Sequence, residues 1–371
     1  MEPDIPEILR STATNLNPHS STFDAKMCDD DPWTWENIDR FKFKEPKIQL
    51  IAPTATASKV CDVATAYRAK PIMGCTTPAE AREVSRVVDA TFLSFGTPTT
   101  ADMANAVLDA PIVVVDPVGV GLPERGRMVS AWLDARRCKR YEIEGQEQDN
   151  FCTVIKGNAS EMATLVKLFD MGDGERFANS SVTTASEGKG WFEQTFGPLD
   201  DEHRQDARLT SLDDDPTSTG GTTFGIDSSF VDEHMSELYS LACYLDATLV
   251  MTGPFDVILD PYTSLDSWTS FLVRTRSTEM FDTYAGAGCA LGAACAAQIA
   301  RLHRHSISND GLTYDFIEDV ARVLAWTAAQ YRKAGAVSAA NTRGPGSFQV
   351  EFLDNLYLLY SLKELKEQAL M

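Results

Sequence analysis

The sequence predicts an α/β fold with a mainly parallel central sheet flanked by helices on both faces. Two observations carry this expectation. From residue 47 onward, short apolar runs alternate with helical patterns, the signature of strands joined by crossover helices. Three of those runs end in a polar or charged residue, Asp116, Lys156 or Thr252, as strand ends facing a ligand do in open α/β sheets.

The elements follow in order. Ile48 to Ile51 is a short apolar strand, Cys61 to Ala69 a helix, and Ile72-Met73 a strand edge. Pro78 to Val88 reads as a helix with proline near its start and acids in its first turns. Ala90 to Phe95 is a strand, Thr99 to Leu108 a helix, and Ile112 to Val115 a buried strand of β-branched residues. Val154-Ile155 is a strand and Ala159 to Leu168 a helix. After a break, a helix at Glu233–Tyr244 and a strand at Ala247–Met251 resume the pattern. Three terminal helices complete it: the alanine-rich Cys289 to His303, the amphipathic Tyr314 to Ala334 with Gly335 as its expected stop, and Phe352 to Leu365.

These elements predict one domain, 47–371, preceded by a partly disordered extension, 1–46, whose first 25 residues are expected to be mobile. Met27 to Phe43, with two tryptophans, is expected to pack on the main body. Residues 170–233 break the rhythm with Leu212-Asp213-Asp214-Asp215-Pro216 and Ser218-Thr219-Gly220-Gly221, and predict an insertion, with Gly190-Trp191-Phe192 docking locally.

Composition narrows the function classes. A formal net charge of −21 repels nucleic acid and anionic membrane, so neither is an expected partner. No run approaches the roughly 20 apolar residues of a spanning helix. Met1 to Ala25 carries early acids and no signal-peptide core, which predicts a cytoplasmic location. The eight cysteines form no C-x-x-C pair and the five histidines no H-E-x-x-H, so neither a zinc site nor a disulfide framework is expected.

The chemistry-bearing segment is Tyr284-Ala285-Gly286-Ala287-Gly288-Cys289. Two glycines allow a tight turn, and a small-residue helix follows at once. Its first N–H groups are unpaired and lie at the positive end of the helix, a site for a transferring phosphoryl group. The same field should lower the Cys289 thiol, which would then take a proton from a substrate hydroxyl or hold that hydroxyl in line. Taken alone, such a turn is a weak signal. Three strand ends strengthen it: Asp116 in Val115-Asp116-Pro117, Lys156 with Asn158 and Glu161 in Lys156-Gly157-Asn158-Ala159-Ser160-Glu161, and Thr252-Gly253. Asn158 and Glu161 also read as a helix cap with its capping-box partner.

Together the segments Asp116-Pro117-Val118-Gly119-Val120-Gly121, Gly157-Asn158-Ala159-Ser160-Glu161, Thr252-Gly253, Gly286-Ala287-Gly288-Cys289 and Gly344-Pro345-Gly346-Ser347-Phe348 resemble the hydroxyethylthiazole kinase family, a thiamine-salvage branch of the ribokinase-like fold. The likeness runs from about 47 to 169 and from about 234 to 362. It implies a kinase that moves the γ-phosphate of ATP to a primary alcohol, with 4-methyl-5-(2-hydroxyethyl)thiazole as the leading acceptor and Mg²⁺ as cofactor. By resemblance, Cys289, Gly286 and Gly288 are the catalytic turn, and Gly286 also meets the substrate. Lys156, Asn158, Thr252 and Gly253 meet ATP, with Lys156 where the family has an arginine. Asp116 and Glu161 organise Mg²⁺, and Met73, Gly96 and Thr97 line the acceptor pocket. A homotrimer with active sites between subunits is the implied assembly.

The first-strand stretch Gln49-Leu50-Ile51-Ala52-Pro53 departs from the family's His-x-Ile-Thr-Asn pattern. Ser58, Asp62 and Ser94 stand where asparagines are usual, Pro254 replaces an acid, and Ala285 replaces a threonine. Phosphate handling is expected to persist beside an altered acceptor pocket. A kinase for another alcohol, or an inactive nucleotide-binding or assembly subunit of the same fold, are the alternatives.

Overall fold

The computed structural model describes residues 14–16, 45–73, 75–96, 100–142, 151–169, 228–253, 256–261, 270–273, 278–284, 286–307 and 316–369. The region expected as an insertion lies outside the described residues up to 227, as does the extension apart from 14–16 and 45–46; Gly190-Trp191-Phe192 and Met27 to Phe43 fall there too.

The described strands are β1 (Thr14–Leu16), β2 (Lys47–Ile51), β3 (Lys70–Ile72), β4 (Ala90–Ser94), β5 (Ile112–Asp116), β6 (Cys152–Asn158), β7 (Thr248–Thr252), β8 (Asp256–Leu259) and β9 (Ser270–Val273). They form one sheet in the order β1-β9-β8-β7-β6-β5-β4-β2-β3. The strands from β3 through β7 pair in parallel, while β8, β9 and β1 add antiparallel pairings at one side. Thr14–Leu16, expected to be mobile, instead pairs with β9, whose unpaired edge offers a row of backbone donors and acceptors.

The described helices are α1 (Thr54–Ala66), α2 (Pro78–Ser85), α3 (Ala101–Asn105), α4 (Pro123–Glu142), α5 (Ala159–Leu168), α6 (Ser228–Leu245), α7 (Met280–Thr283), α8 (Ala287–Ile307), α9 (Phe316–Asn341) and α10 (Pro345–Ala369). Side chains alternate across the sheet and build a core on each face. Ile48, Leu50, Phe92, Ile112, Val114, Val154 and Val250 bury against α1, α8, α9 and α10. Leu93, Val113, Val115, Ile155, Leu249 and Met251 face the other way, in the core shared with α4, α5 and α6. The expected fold class therefore holds.

The alanine-rich α8 lies close against the sheet. Ala290, Ala293, Ala294, Ala296 and Ala297 are buried, and Gly292 leaves the space that the Phe92 ring occupies. This close approach brings the N-terminus of α8 to the C-terminal ends of the central strands.

Gly335 does not stop its helix. α9 runs on to Asn341, because the missing Cβ of Gly335 admits the ring of Phe281, where a methyl group would collide. Phe281 stacks on Tyr331 and meets Phe348 and Phe352 edge-on. Packing, and not termination, explains that glycine.

Helix α4, not anticipated from the sequence, carries the buried stripe Val129, Trp132, Leu133 and Arg136. Arg136 is a buried cation that gathers the start of β5 and β6. It donates to the carbonyls of Leu108 (2.6 Å), Ala110 (2.5 Å), Pro111 (3.0 Å) and Cys152 (3.2 Å), and stands over the Phe151 ring. Arg136→Met strands these buried acceptors, and should lower unfolding free energy by about 3 kcal/mol or more. A urea denaturation midpoint that moves down with an unchanged slope is the expected reading; an unmoved midpoint contradicts it.

Candidate active site

The site lies where the strand order reverses: from β2 the chain goes outward to β3, whereas β4 to β7 proceed the other way. Register sets Ser94 of β4 beside Asp116 of β5, and Asn158 of β6 beside Thr252 of β7. The three polar strand ends expected from the sequence thus form one ledge, with α8 beginning against it.

Asp116 and Lys156 are the buried charges at the centre, 1% and 3% exposed. Lys156 Nζ lies 3.6 Å from Asp116 Oδ1. A Cβ placed on Gly288 would sit 3.0 Å from the same Nζ, so the ammonium underlies the first turn of α8. Burial alone would lower the Lys156 ammonium, but Asp116 and then Glu161 reverse that, and it is held above its ordinary value. Lys156 is therefore charged at neutral pH, and its charge adds to that of the helix terminus. The other Asp116 oxygen, Oδ2, is buried without a hydrogen-bond partner.

Cys289 occupies the first turn of α8, half-buried, with its thiol hydrogen-bonded to Asp116 and Ser94. The expectation of a lowered thiol is corrected here. Burial, followed by the Asp116 charge, pushes Cys289 up to about 12, and neither Lys156 nor the Ser94 hydrogen bond overcomes them. At neutral pH the residue is a neutral thiol.

Asn158 caps α5. Its side chain accepts from the Glu161 N–H (2.9 Å), while Glu161 Oε2 accepts from the Asn158 N–H (2.9 Å). Glu161 also accepts from the Gly119 N–H, which ties the Asp116–Gly121 loop to this cap. Its carboxyl is raised by burial and by Asp116, against the opposing charge of Lys156. Gly119 has φ +70° and packs on Arg125, whose Nη1 donates to the Val118 carbonyl at 3.2 Å. Arg125 and Arg127 both follow that loop in sequence, and Arg125 braces it.

The other catalytic-turn glycine, Gly286, has φ +90°, and a Cβ there would lie 2.9 Å from Thr56 Cγ2 of α1. Both the backbone and the neighbour therefore demand glycine. Tyr331 of α9 donates to the Ala287 carbonyl (2.9 Å), fixing the start of α8 from behind. Thr252 Oγ1 donates to the Gly157 carbonyl at 3.4 Å. Gly253 follows it, held by Arg332 and Asp256.

The acceptor-side positions stand one or two strands away. Gly96 packs against the Pro53 ring and donates its N–H to Ser94 Oγ. Met73, just after β3, is 36% exposed at the sheet edge. Thr97 and Ala285 lie outside the described residues. Gln49 is turned into the protein: its amide donates to the Ala81 carbonyl (2.9 Å) and Cys75 Sγ (3.3 Å), and Oε1 accepts from Thr91 (3.1 Å).

Sequence reasoning missed Tyr331 and Arg332. Asp256 beside the apolar run Val257-Ile258-Leu259, and Arg332 three residues past Ala329 in an apolar helix, were the available signals for a buried pair. Among the described residues no group of three or more His, Cys, Asp or Glu side chains is arranged to hold a metal by itself, and no helix is long and apolar enough to cross a membrane.

With thiol and carboxyl in contact, Cys289 should be a poor nucleophile. Iodoacetamide at about pH 8 should label exposed Cys138 well before Cys289, read by peptide mass spectrometry. Faster labelling at Cys289 contradicts the neutral-thiol assignment.

Comparison with known proteins bears on the family resemblance. The model of the hydroxyethylthiazole kinase family matches residues 217–361. A hydroxyethylthiazole kinase from Bifidobacterium longum (strain DJO10A) is 25% identical over 293 residues, covering 76% of this chain and 72% of its own. One from Limosilactobacillus reuteri (strain DSM 20016) is 34% identical over 140 residues, 36% of this chain and 46% of its own. One from Nitratidesulfovibrio vulgaris (strain DP4) is 25% identical over 334 residues, 88% and 92% of the two chains. The solved structure of a hydroxyethylthiazole kinase protein from Pyrococcus horikoshii OT3 superposes with a TM-score of 0.52 at 17% identity, covering 87% of this chain and 91% of that one, a likeness of fold. The resemblance carried by the five motifs thus holds along most of the chain.

Proposed function

We propose that this chain is a phosphotransferase that moves the γ-phosphate of ATP to a primary alcohol, with 4-methyl-5-(2-hydroxyethyl)thiazole as its leading acceptor. The observation that carries the reading is the Lys156 ammonium beneath Gly288, at the N-terminus of α8 and beside Asp116. Donors and charge converge there without needing to move, which is what stabilises a transferring phosphoryl group. The names of the relatives supply the acceptor class.

In this reading the backbone of Gly286 to Gly288 and Lys156 receive the phosphoryl oxygens. Cys289, being neutral, holds the acceptor hydroxyl in line. Proton loss is late in a loose transition state, so orientation suffices. Thr252, Gly253 and Asn158 lie along the neighbouring strand ends, in reach of the rest of the nucleotide.

The donor set suits Mg²⁺. Asp116 Oδ2 is an open carboxylate oxygen, and Glu161 is the second carboxyl nearby. One or two carboxylates with substrate phosphates are what a hydrated Mg²⁺ commonly uses. Asp116 and Glu161 would hold it, and it would supply charge neutralisation on the phosphates.

The assembly in this reading is a homotrimer with acceptor pockets between subunits, to which the exposed Met73 at the sheet edge is suited. Cytoplasmic work is in keeping with free thiols throughout the described cysteines. A second reading, transfer to a different alcohol, is favoured by Gln49, whose polar atoms are all committed inside the protein.

The test is ADP release from the full chain with ATP, Mg²⁺ and the thiazole alcohol, run beside other primary alcohols. Turnover with the thiazole should fall about 100-fold or more in Asp116→Asn, and less in Cys289→Ala, which loses alignment only. Turnover with another alcohol alone selects the second reading. ATP binding without turnover on any alcohol rejects the kinase assignment.

A further inference from the structure

The hairpin between β7 and β8 opens at Thr252-Gly253 and closes at Asp256. Its mouth is cross-braced from α9. Arg332 Nε donates to Asp256 Oδ2 at 2.6 Å and Nη2 to Asp256 Oδ1 at 2.5 Å, while Nη2 also donates to the Gly253 carbonyl. The Gly253 N–H donates to Asp256 Oδ1 at 3.3 Å. Both peptide groups flanking Gly253 are therefore tied to one buried ion pair, with Arg332 5% and Asp256 1% exposed.

We infer that Arg332 is a positioning residue for nucleotide: it sets the Thr252-Gly253 turn in the conformation that receives ATP. This rests on the assignment of that turn to ATP above. A buried ion pair is a poor source of net stability, since desolvation offsets much of the attraction, so its geometric effect is the more informative one. The planar guanidinium holds two carboxylate oxygens and a carbonyl in one fixed arrangement, which a single ammonium does not. Finally, the tethered carbonyl belongs to the residue next to Thr252, whose partner across β6 is Asn158 at the helix cap beside Lys156. A turn free to rotate at Gly253, the most permissive residue type, would have to be ordered by the nucleotide itself, at a cost in affinity. The same pair links α9 to the turn, and α9 also carries Tyr331, which fixes the start of α8. One helix thus braces both sides of the nucleotide-facing ledge.

The test uses the full chain with Arg332→Met combined with Asp256→Asn, which removes the tether without leaving a buried lone charge, and Arg332→Lys, which keeps the charge and loses the fork. ATP affinity is measured by titration calorimetry, with KM for ATP and for the acceptor alongside melting temperature. The double variant should melt near the parent, bind ATP about tenfold or more weakly, and keep its acceptor KM within roughly twofold. Arg332→Lys should fall between the two in ATP affinity. Parental ATP affinity in either folded variant overturns the inference, as does parallel weakening of ATP and acceptor with a falling melting temperature, which marks general loosening. Should the double variant not fold, Arg332→Lys decides by the same criterion. A parent chain that binds no ATP overturns both this inference and the function on which it rests, and is distinguished by the parent titration alone.

Discussion

The structure turns on one buried contact, the Lys156–Asp116 pair beneath Gly288. Two charges taken out of water are costly unless each is answered. Here the ammonium is answered by two carboxyls and the carboxylate keeps one oxygen open. The pair exists because Asp116 and Lys156 each follow the paired residues Val115 and Ile155 on adjacent parallel strands, and because α8 is made of residues small enough to lie against them. Ala293, Ala296 and Gly292 at the sheet are in this sense as much part of the site as Cys289.

Support from behind comes from an aromatic cluster. Tyr284, Phe281, Tyr331, Phe348 and Phe352 pack ring to ring below the turn. Phe348 comes from the Gly344–Phe348 motif at the start of α10, and Gly335 makes room for Phe281 within α9. These motif residues act by packing: they define where the helix terminus stands, and hence where its N–H groups aim. Because close-packed interiors transmit small displacements, a shift in this cluster would be felt at Cys289.

Much of this was legible in the sequence. Alternating apolar runs gave the parallel core, and the residues ending them, Asp116, Lys156 and Thr252, do meet at one edge. What could not be read has physical reasons. Helix α4 hid because Arg136 occupies a core position in its stripe, so the apolar period is broken by a cation satisfied by carbonyls. Strands β8 and β9 are short and antiparallel, too brief for a period to show. Gly335 looked like a helix end because its neighbour, Phe281, is distant in sequence. The Cys289 thiol departs from its expected lowering because burial, and then the Asp116 charge beside it, outweigh the helix terminus. Gln49 shows the same limit: its chemistry is spent on Thr91 and Ala81, which only the fold brings near.

A crystal structure of the full chain with Mg²⁺ and a non-hydrolysable ATP analogue would show whether Lys156 and the start of α8 receive the phosphate. The terminal phosphate should lie within about 3 Å of the Gly288 N–H and Lys156 Nζ, the spacing of a preorganised charge-stabilising site. A nucleotide bound elsewhere, or a terminal phosphate that leaves Lys156 paired only with Asp116 and the first turn of α8 uncontacted, would contradict it.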